Sequence, residues 1–170
     1  MKAKRIIFWI LLLIVIDQAV KIIINSFFLE TQFEIIPSLF EFKPVFNDKH
    51  SYVNDLLFKN FNIDLGLWFH LIVFLLAQMM LCFLYVKFKK NIVENKKLLG
   101  LVILFQIAGF ICALIGNLIW QKGTLDYIYL KPLFVFDLKD LYIDCFAILF
   151  LVYCHKNKAQ MKLVRMKNRI

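Results

Sequence analysis

Residues 116–144 read GNLIWQKGTLDYIYLKPLFVFDLKDLYID, and they join two apolar runs of the chain. This stretch carries four acids, Asp126, Asp137, Asp140 and Asp144, the last of them one turn into the second apolar run. A carboxylate deep in hydrocarbon costs about 3 kcal/mol or more, so acids beside apolar runs indicate a functional site by default. The competing interpretation is a polar loop whose acids lie in water, and position alone does not separate the two.

The composition is that of a membrane protein rather than a soluble domain. The chain has 170 residues, of which 62% are hydrophobic, and its mean hydropathy is +0.73. Runs of about 20 apolar residues predict membrane-spanning helices. The net charge of +9 is compatible with nucleic acid binding, but the basic residues cluster beside the apolar runs, as they do in membrane proteins. We therefore expect membrane lipid as a partner and no nucleic acid.

Four membrane helices are predicted, at about residues 6–26, 66–88, 98–120 and 138–155. A basic start followed by an apolar run also fits a secretory signal peptide, but this run is long enough to span and no small-residue cleavage site closes it. In the first helix Asp17 and Lys21 stand four residues apart, so they share one face and are expected to form a structural ion pair. The four cysteines and three histidines show no metal-ligand spacing, so no metal site is expected.

Segment 27–65 differs in composition from the apolar runs. It mixes charged residues with many phenylalanines, and Pro37, Pro44 and the alternation in residues 40–43 favour short strands over helix. We predict a small sheet that lies on the membrane surface between helices 1 and 2 as a cradle, with a short surface helix over residues 58–65. The predicted fold is an all-α membrane protein with four transmembrane helices and this sheet, in a single integral membrane domain over residues 1–170.

The basic residues predict the orientation in the membrane. With four spans, both termini and the middle loop share one side, which holds 14 lysines and arginines: three at the amino terminus, five in the loop and six in the tail. The other side holds 6. Basic residues accumulate on the cytoplasmic side, so both termini are predicted there. Segments 27–65 and 121–139 then face outward, which makes the sheet extracytoplasmic and places Asp126 and Asp140 at the outer membrane surface.

Asp126 and Asp140 flank the mouth of the third and fourth predicted spans. Two carboxylates that approach closely share one proton, because repulsion raises one pKa and leaves the other group ionised. The ionised partner activates a water, and the protonated partner donates to a scissile carbonyl, as in aspartic proteases. Spacing alone is weak evidence for such a pair.

Five short boxes, in order along nearly the whole chain, resemble those of signal peptidase II, the lipoprotein signal peptidase family. Residues 17–21 (DQAVK) resemble its Asp-Gln-x-x-Lys box, residues 35–37 with 46–47 its outward sheet segment ending in Asn, and residues 113–117 (ALIGN) its Gly-Asn box. Residues 125–128 (LDYI) resemble Val-Asp-Phe-Ile, which holds the first catalytic aspartate, and residues 136–140 (FDLKD) resemble Phe-Asn-x-Ala-Asp, which holds the second.

The resemblance implies a membrane-embedded aspartic endopeptidase that removes signal peptides from diacylglyceryl-modified prolipoproteins, with no metal or cofactor. It implies that Asp126 and Asp140 are the catalytic pair and that Asn47 and Asn117 help to position the substrate. The expected partners are diacylglyceryl prolipoproteins and membrane lipid, and the chain is expected to act as a monomer. The expected location is the bacterial cytoplasmic (inner) membrane, crossed several times, with both termini cytoplasmic.

The chain departs from the family pattern near the substrate. Trp120 and Gln121 stand where the family has Asp-Arg after its Gly-Asn box, Asp137 replaces an Asn, and Lys139 replaces an Ala. Asp137, Lys122 and Lys139 are therefore counted among the candidate substrate-binding residues, with one of the two lysines taking over the charge of the missing arginine. Two further hypotheses stay open: an inactive paralogue that binds lipidated peptides or lipid at the outer membrane surface, and an unrelated four-helix membrane scaffold.

Overall fold

The computed structural model describes residues 3–49, 52–91, 95–120 and 122–158. The helices are α1 (Ala3–Ile23), α2 (Tyr52–Phe61), α3 (Gly66–Asn91), α4 (Lys96–Ile119) and α5 (Leu138–Lys156), and α1 continues through a π-helical segment, Ile24–Phe28. The strands are β1 (Phe33–Ile36), β2 (Phe40–Asn47), β3 (Thr124–Leu130) and β4 (Phe134–Phe136). The four apolar runs of the sequence thus correspond to α1, α3, α4 and α5, within a few residues at each end.

In the part of the chain that the structure describes, three helical segments are long and apolar enough to cross a membrane: Ala3–Phe28, Gly66–Val86 and Lys96–Ile119. The prediction of a multi-pass membrane protein is therefore confirmed. Helix α5 has 19 residues, but its first two turns carry Lys139, Asp140 and Asp144. Because those charges dilute its apolar character, α5 is not among the three segments, and the fourth span stays a prediction.

Helix α4 packs against both α1 and α5 through small residues. Ala108 and Cys112 are fully buried and contact Tyr142 of α5. A Cβ atom at Gly109 would lie 2.9 Å from Cγ1 of Ile143, so a side chain at this position would force Ile143 to move. Small residues in α4 therefore allow the helices to pack closely.

The described contacts of helix α3 with α4 include an aromatic stack and a polar pair. The rings of Phe74 and Phe110 stack with centroids 4.8 Å apart. Gln106 donates a hydrogen bond to Gln78, so the two amides satisfy each other within an apolar helix pair. Gln78 is thus a packing contact between the two helices.

The sheet contains four antiparallel strands in the order β1-β2-β3-β4. The prediction places the whole sheet between helices 1 and 2, which is wrong, because β3 and β4 come from the segment just before α5. The sequence TLDYIYL of β3 is rich in β-branched and aromatic residues, which suit a strand. It pairs with the edge of β2 that would otherwise be open, so the segment is not a solvated polar loop.

The surface helix also differs from its prediction. It covers Tyr52–Phe61, whereas residues 58–65 are predicted, so only its last turn coincides. Asn62, the next residue, has a left-handed backbone with a φ of 54°, which ends the helix. Asp64 then accepts hydrogen bonds from Asn54 and from the backbone N–H of Gly66, and these bonds tie α2 to the start of α3.

A glycine brings β3 close to the end of β2. Gly123 has a φ of +95°, a conformation that side chains rarely allow, and it stands directly before Thr124, which pairs with Asn47. A Cβ atom at Gly123 would overlap the backbone carbonyl of Asn47. The approach of these two strands therefore depends on the missing side chain, and it aligns Asn47 with the acidic side chain of β3.

Candidate active site

Asp126 is held between the sheet and α5. It lies in β3, in register with Val45 of β2, and is 2% exposed. Nδ2 of Asn47 donates to its Oδ2 at 3.1 Å, and Nζ of Lys139 donates to its Oδ1 at 2.9 Å. Each oxygen of this carboxylate has a partner from a different element, so its orientation is fixed.

Asp140 is positioned by the start of α5. The carboxylate of Asp137 accepts the backbone N–H of Asp140 at 3.2 Å, and the carboxylate of Asp140 accepts the backbone N–H of Asp137 at 3.1 Å. This reciprocal capping box fixes both side chains at the helix amino terminus, where the helix dipole favours negative charge. The side chain of Asp140 is 37% exposed, so Asp140 is the more open of the two predicted catalytic acids.

Lys139 bridges the acids of β3 and α5. Its Nζ lies 2.9 Å from Asp126, 3.0 Å from Asp137 and 3.2 Å from Asp140. One oxygen of each of these three carboxylates lies within 4.8 Å of the others, which is the spacing of a cation site. The ammonium group already supplies positive charge at their centre, so the donor set is satisfied by a residue of the chain itself.

A chain of ion pairs continues from this centre into α1. Nζ of Lys21 lies 2.7 Å from Oδ2 of Asp137 and 3.0 Å from Oδ2 of Asp17, and all three side chains are fully buried. The predicted pair of Asp17 and Lys21 is therefore present. It also does more than orient its own helix, because Lys21 ties α1 to the amino terminus of α5.

The acids open onto a cavity of about 640 Å³. Its inner wall includes Asp126, Lys139, Asp140 and Asn47. The other lining residues are mostly lysines and apolar side chains of the sheet and of the β3–β4 turn: Lys43, Val45, Phe46, Asp48, Lys49, Lys59, Tyr129, Pro132, Leu133, Phe134, Val135 and Asp144. A cavity lined by both charged and apolar side chains suits a peptide that carries an apolar group.

The remaining predicted substrate-binding residues lie outside this lining. Nδ2 of Asn117 donates to the backbone carbonyl of Ala113, one turn earlier in α4. Lys122 is exposed, with its ammonium 5.7 Å from the ring centroid of Phe46. Gln121, which takes the place of the family's arginine, lies outside the described residues. The structure therefore brings together Asn47, Asp126, Asp137, Lys139 and Asp140, but not Asn117 or Lys122.

Trp120 has a role that the sequence does not reveal. Its indole Nε1 donates to Oε1 of Gln18 at 3.3 Å, and Nε2 of Gln18 donates to Asp17 at 2.7 Å. The Trp120 ring also packs on Phe46 of β2. The residue that replaces the family's acid therefore links the sheet to the first helix.

Burial and neighbouring charges act in opposite directions on these acids. Burial raises the pKa of the Asp126 carboxyl above its ordinary value, although the Lys139 ammonium lowers it in part. Burial alone would also raise the pKa of Asp137, but the ammonium groups of Lys139 and Lys21 lower it below the ordinary value. Asp137 is therefore a fixed negative charge, whereas Asp126 is inclined to hold a proton.

The overall arrangement is similar to solved bacterial membrane enzymes. Two structures, described as bacterial membrane enzymes determined by the in meso method at 1.9 and 2.3 Å resolution, match with TM-scores of 0.65 and 0.62. Their sequence identities to this chain are 17% and 16%, and the matches cover 89% and 92% of this chain and 92% and 90% of theirs. At such identities the likeness concerns the fold. A comparison with curated proteins gave no significant match.

The sequence itself matches a family model along most of its length. The model, described as Signal peptidase (SPase) II, aligns with residues 9–156, from α1 to the end of α5. This span contains the first-helix ion pair, the sheet and all the acids of the cavity. The protein therefore belongs to the signal peptidase II family of membrane proteases.

Proposed function

We propose that this protein is an aspartic endopeptidase that removes signal peptides from diacylglyceryl-modified prolipoproteins, with Asp126 and Asp140 as its catalytic pair. The observation that carries the proposal is the meeting of these two carboxylates at one cavity. One comes from β3 and the other from the first turn of α5, and an oxygen of each lies within 4.8 Å of the other. Both carboxylates line the same cavity.

The pair supports a hydrolysis in which atoms and protons balance. The ionised carboxylate takes a proton from a water molecule, and the resulting hydroxide attacks the carbonyl carbon of the scissile peptide bond. The protonated carboxyl group donates to the carbonyl oxygen, which stabilises the tetrahedral intermediate. When the C–N bond breaks, the leaving nitrogen takes the proton that came from water, and a hydroxyl group of the intermediate returns its proton to the other carboxylate. The products are a carboxylic acid and a free amine, and the pair again holds one proton. Asn47 keeps the carboxylate of Asp126 in place throughout.

Exposed aromatic and aliphatic side chains near the sheet suit the lipid part of the substrate. Strand β1 is exposed along its whole length, and it presents Phe33, Ile35 and Ile36. Phe27 and Phe61 in the adjoining segments are 77% and 69% exposed. Apolar surface of this kind is stable against lipid or acyl chains rather than water. We propose that it holds the protein in the interface and guides the diacylglyceryl group.

The proposed orientation places this site on the outer face of the bacterial cytoplasmic membrane. Helix α5 acts as the fourth span, since its polar first two turns lie at the cavity and the apolar remainder continues into lipid. Both termini then lie in the cytoplasm, where the excess of basic residues belongs. In this orientation the cavity faces the compartment from which lipid-modified precursors arrive.

The decisive experiment is cleavage of a diacylglyceryl-modified precursor by the purified protein, followed as a gel shift. The wild type is expected to release the signal peptide, and Asp126→Asn and Asp140→Asn are each expected to reduce cleavage at least about 1,000-fold, because either loss removes half of one catalytic unit. The double variant should be little worse than the single ones. Glu30→Gln, an exposed acid outside the cavity lining, is the matched control and should cleave normally. Normal turnover by Asp126→Asn would contradict the assignment.

A second candidate function is binding of lipidated peptides without cleavage. The observation that favours it is the contact of the Lys139 ammonium with both carboxylates, because this positive charge opposes the shared proton that hydrolysis needs. A protein of this kind would retain labelled lipopeptide in detergent and release no product over long incubation. Cleavage by the wild type, lost in Asp140→Asn, would rule it out.

A further inference from the structure

The ammonium group of Lys139 lies between the two proposed catalytic carboxylates and a third one. Its distances to oxygens of Asp126, Asp137 and Asp140 are 2.9, 3.0 and 3.2 Å. An ammonium group has three N–H donors, and here each has a carboxylate partner. In this arrangement the ammonium group of Lys139 binds the protein's own acids, so its positive charge acts on the catalytic pair rather than on the substrate.

Among the described residues, Asp137 is the partner of Lys139 that lies outside the proposed catalytic pair. Its side chain is fully buried, with one oxygen 3.0 Å from Lys139 and the other 2.7 Å from Lys21. It also accepts the backbone N–H of Asp140, so its negative charge lies beside the second catalytic acid. A buried carboxylate in this position is stable only when cations neutralise it, and Lys139 is one of two that do so.

A pair of carboxylates that shares one proton responds to every fixed charge beside it. The positive charge of Lys139 favours loss of the shared proton, and the negative charge of Asp137 favours its retention. The two groups lie next to the same carboxylates, so their effects oppose each other. Among the described residues, the other charged groups around the pair are Asp17 and Lys21 in α1, Asp144 in α5, and Lys43, Asp48, Lys49 and Lys59 along the cavity.

We propose that Asp137 and Lys139 are a matched pair of positioning residues whose opposite charges together set the pH range in which the Asp126–Asp140 pair holds its single proton. This inference rests on the proposed protease function. It explains why an added acid and an added base stand within one turn at the start of α5. Either residue alone would shift the proton affinity of the catalytic pair. Together they add no net charge beside it, so their effects on its proton affinity largely cancel.

The pKa shifts of Asp126 and Asp137 agree with this assignment. Lys139 is the largest charge effect on both: it lowers the pKa of Asp126 against the effect of burial, and it lowers the pKa of Asp137. Asp137 in turn raises the pKa of Asp126. The cation and the acid therefore act on Asp126 in opposite directions, as the geometry requires.

The test compares three variants with the wild type: Lys139→Ala, Asp137→Asn and the double variant. Asparagine caps a helix as well as aspartate does, and alanine suits a helix interior, so α5 retains its local stability in each. The pH dependence of kcat/KM is measured for cleavage of the lipidated precursor. The melting temperature in detergent identifies any variant that fails to fold, and the double variant, which has no unbalanced charge, is the one expected to fold in any case.

Opposite shifts are the expected result. Lys139→Ala removes a positive charge, raises both pKa values of the catalytic pair and moves the bell-shaped profile up by about one to two pH units. Asp137→Asn removes a negative charge and moves the profile down by a similar amount. The double variant returns to within about half a pH unit of the wild type. Shifts in the same direction, the absence of shifts, or a double variant displaced as far as a single one would overturn the proposal.

A second measurement separates this inference from the proposed function. An infrared titration of the protonated carboxyl band reports the proton on the pair whether or not the protein cleaves anything. If the wild type cleaves nothing but the two single variants shift the titration in opposite directions, the protease function is disproved and the charge pairing stands. Cleavage by the wild type together with an unmoved titration in both single variants would leave the protease standing and refute the pairing.

Discussion

The side-chain amide of Asn47 donates a hydrogen bond of 3.1 Å to Oδ2 of Asp126, although 79 residues separate the two in sequence. Asn47 ends β2 and Asp126 lies in β3, so the bond exists only because two segments on either side of α2, α3 and α4 pair as strands. The other oxygen of Asp126 is bound by Lys139, which also serves two further acids. Asn47 is therefore the partner dedicated to one carboxylate of the proposed pair.

Replacing Asn47 by Ala should lower turnover by about 10- to 100-fold, because a hydrogen bond to a charged group contributes about 1.5–3 kcal/mol. The carboxylate of Asp126 would then lose its fixed orientation but could still exchange protons with the substrate and water, so kcat should fall more than KM rises. The matched control is Asn60→Ala in α2, whose amide bonds only a carbonyl of its own helix among the contacts described. Equal kinetics of Asn47→Ala and the wild type would show that the bond is not needed.

The approach of β3 to β2 gives a prediction that separates backbone strain from steric overlap. Gly123→Ala should lower the free energy of unfolding by more than about 1–3 kcal/mol, the usual cost of an unfavourable backbone conformation, because its Cβ also overlaps the carbonyl of Asn47. Gly66→Ala is the control: its φ is +67°, yet nothing lies within 4 Å of the added atom. Thermal unfolding in detergent should show a clearly larger loss for Gly123→Ala. Equal losses would mean that the overlap relaxes without cost.

The helices were predictable because a membrane span is a property of length and local composition. Apolar runs fix the four long helices within a few residues, and the small residues of α4 indicate close packing without knowledge of the partner. Strands β3 and β4 were not predictable in the same way. Strand pairing is non-local, and the acids of residues 116–144 made a strand-forming sequence resemble a polar loop.

The sequence predicted which residues form the candidate site better than it predicted what each of them does there. The two proposed catalytic acids follow from motifs, and the structure brings them together. From the sequence, Lys139 is predicted only as a cation beside Asp140. The fold shows that it also contacts Asp126 and Asp137. The capping role of Asp137 was predictable from the sequence. An Asp followed three residues later by a second acid, and then by an apolar run, indicates the start of a helix.

The buried ion-pair chain predicts a strong stability effect at Lys21. Lys21→Met keeps the length of the side chain but leaves Asp17 without its cation and Asp137 with Lys139 alone, and breaking a buried ion pair from one side costs about 3–5 kcal/mol. The melting temperature in detergent should fall by several degrees. Adding Asp17→Asn to Lys21→Met should recover part of the loss, because one uncompensated charge disappears. A double variant that is even less stable would contradict this account.

Lys122 is the remaining candidate for the charge that the family's arginine supplies. It is exposed beside Phe46, so it would act at the rim, where a charge affects encounter more than the bound state. Lys122→Ala should raise KM about 3- to 10-fold at low salt with little change in kcat, and the difference should shrink as ionic strength rises. Lys131→Ala, which removes a lysine paired with Glu34 and Glu41, is the control and should leave KM unchanged. An unchanged KM for Lys122→Ala at low salt would exclude this role.

The orientation in the membrane can be tested with single cysteines in a chain whose four native cysteines have been replaced. Asn60 in α2 and Lys97 in α4 are both exposed, and the proposed topology places them on opposite sides of the membrane. An impermeant thiol reagent added to intact cells should label Asn60→Cys, whereas Lys97→Cys should react only after the membrane is opened. The physical basis is the excess of lysines and arginines beside Lys97 and at both termini, which the cytoplasmic side retains. Labelling of Lys97→Cys alone on intact cells would invert the topology and place Asp126 and Asp140 in the cytoplasm, where precursors that have already crossed the membrane do not meet them.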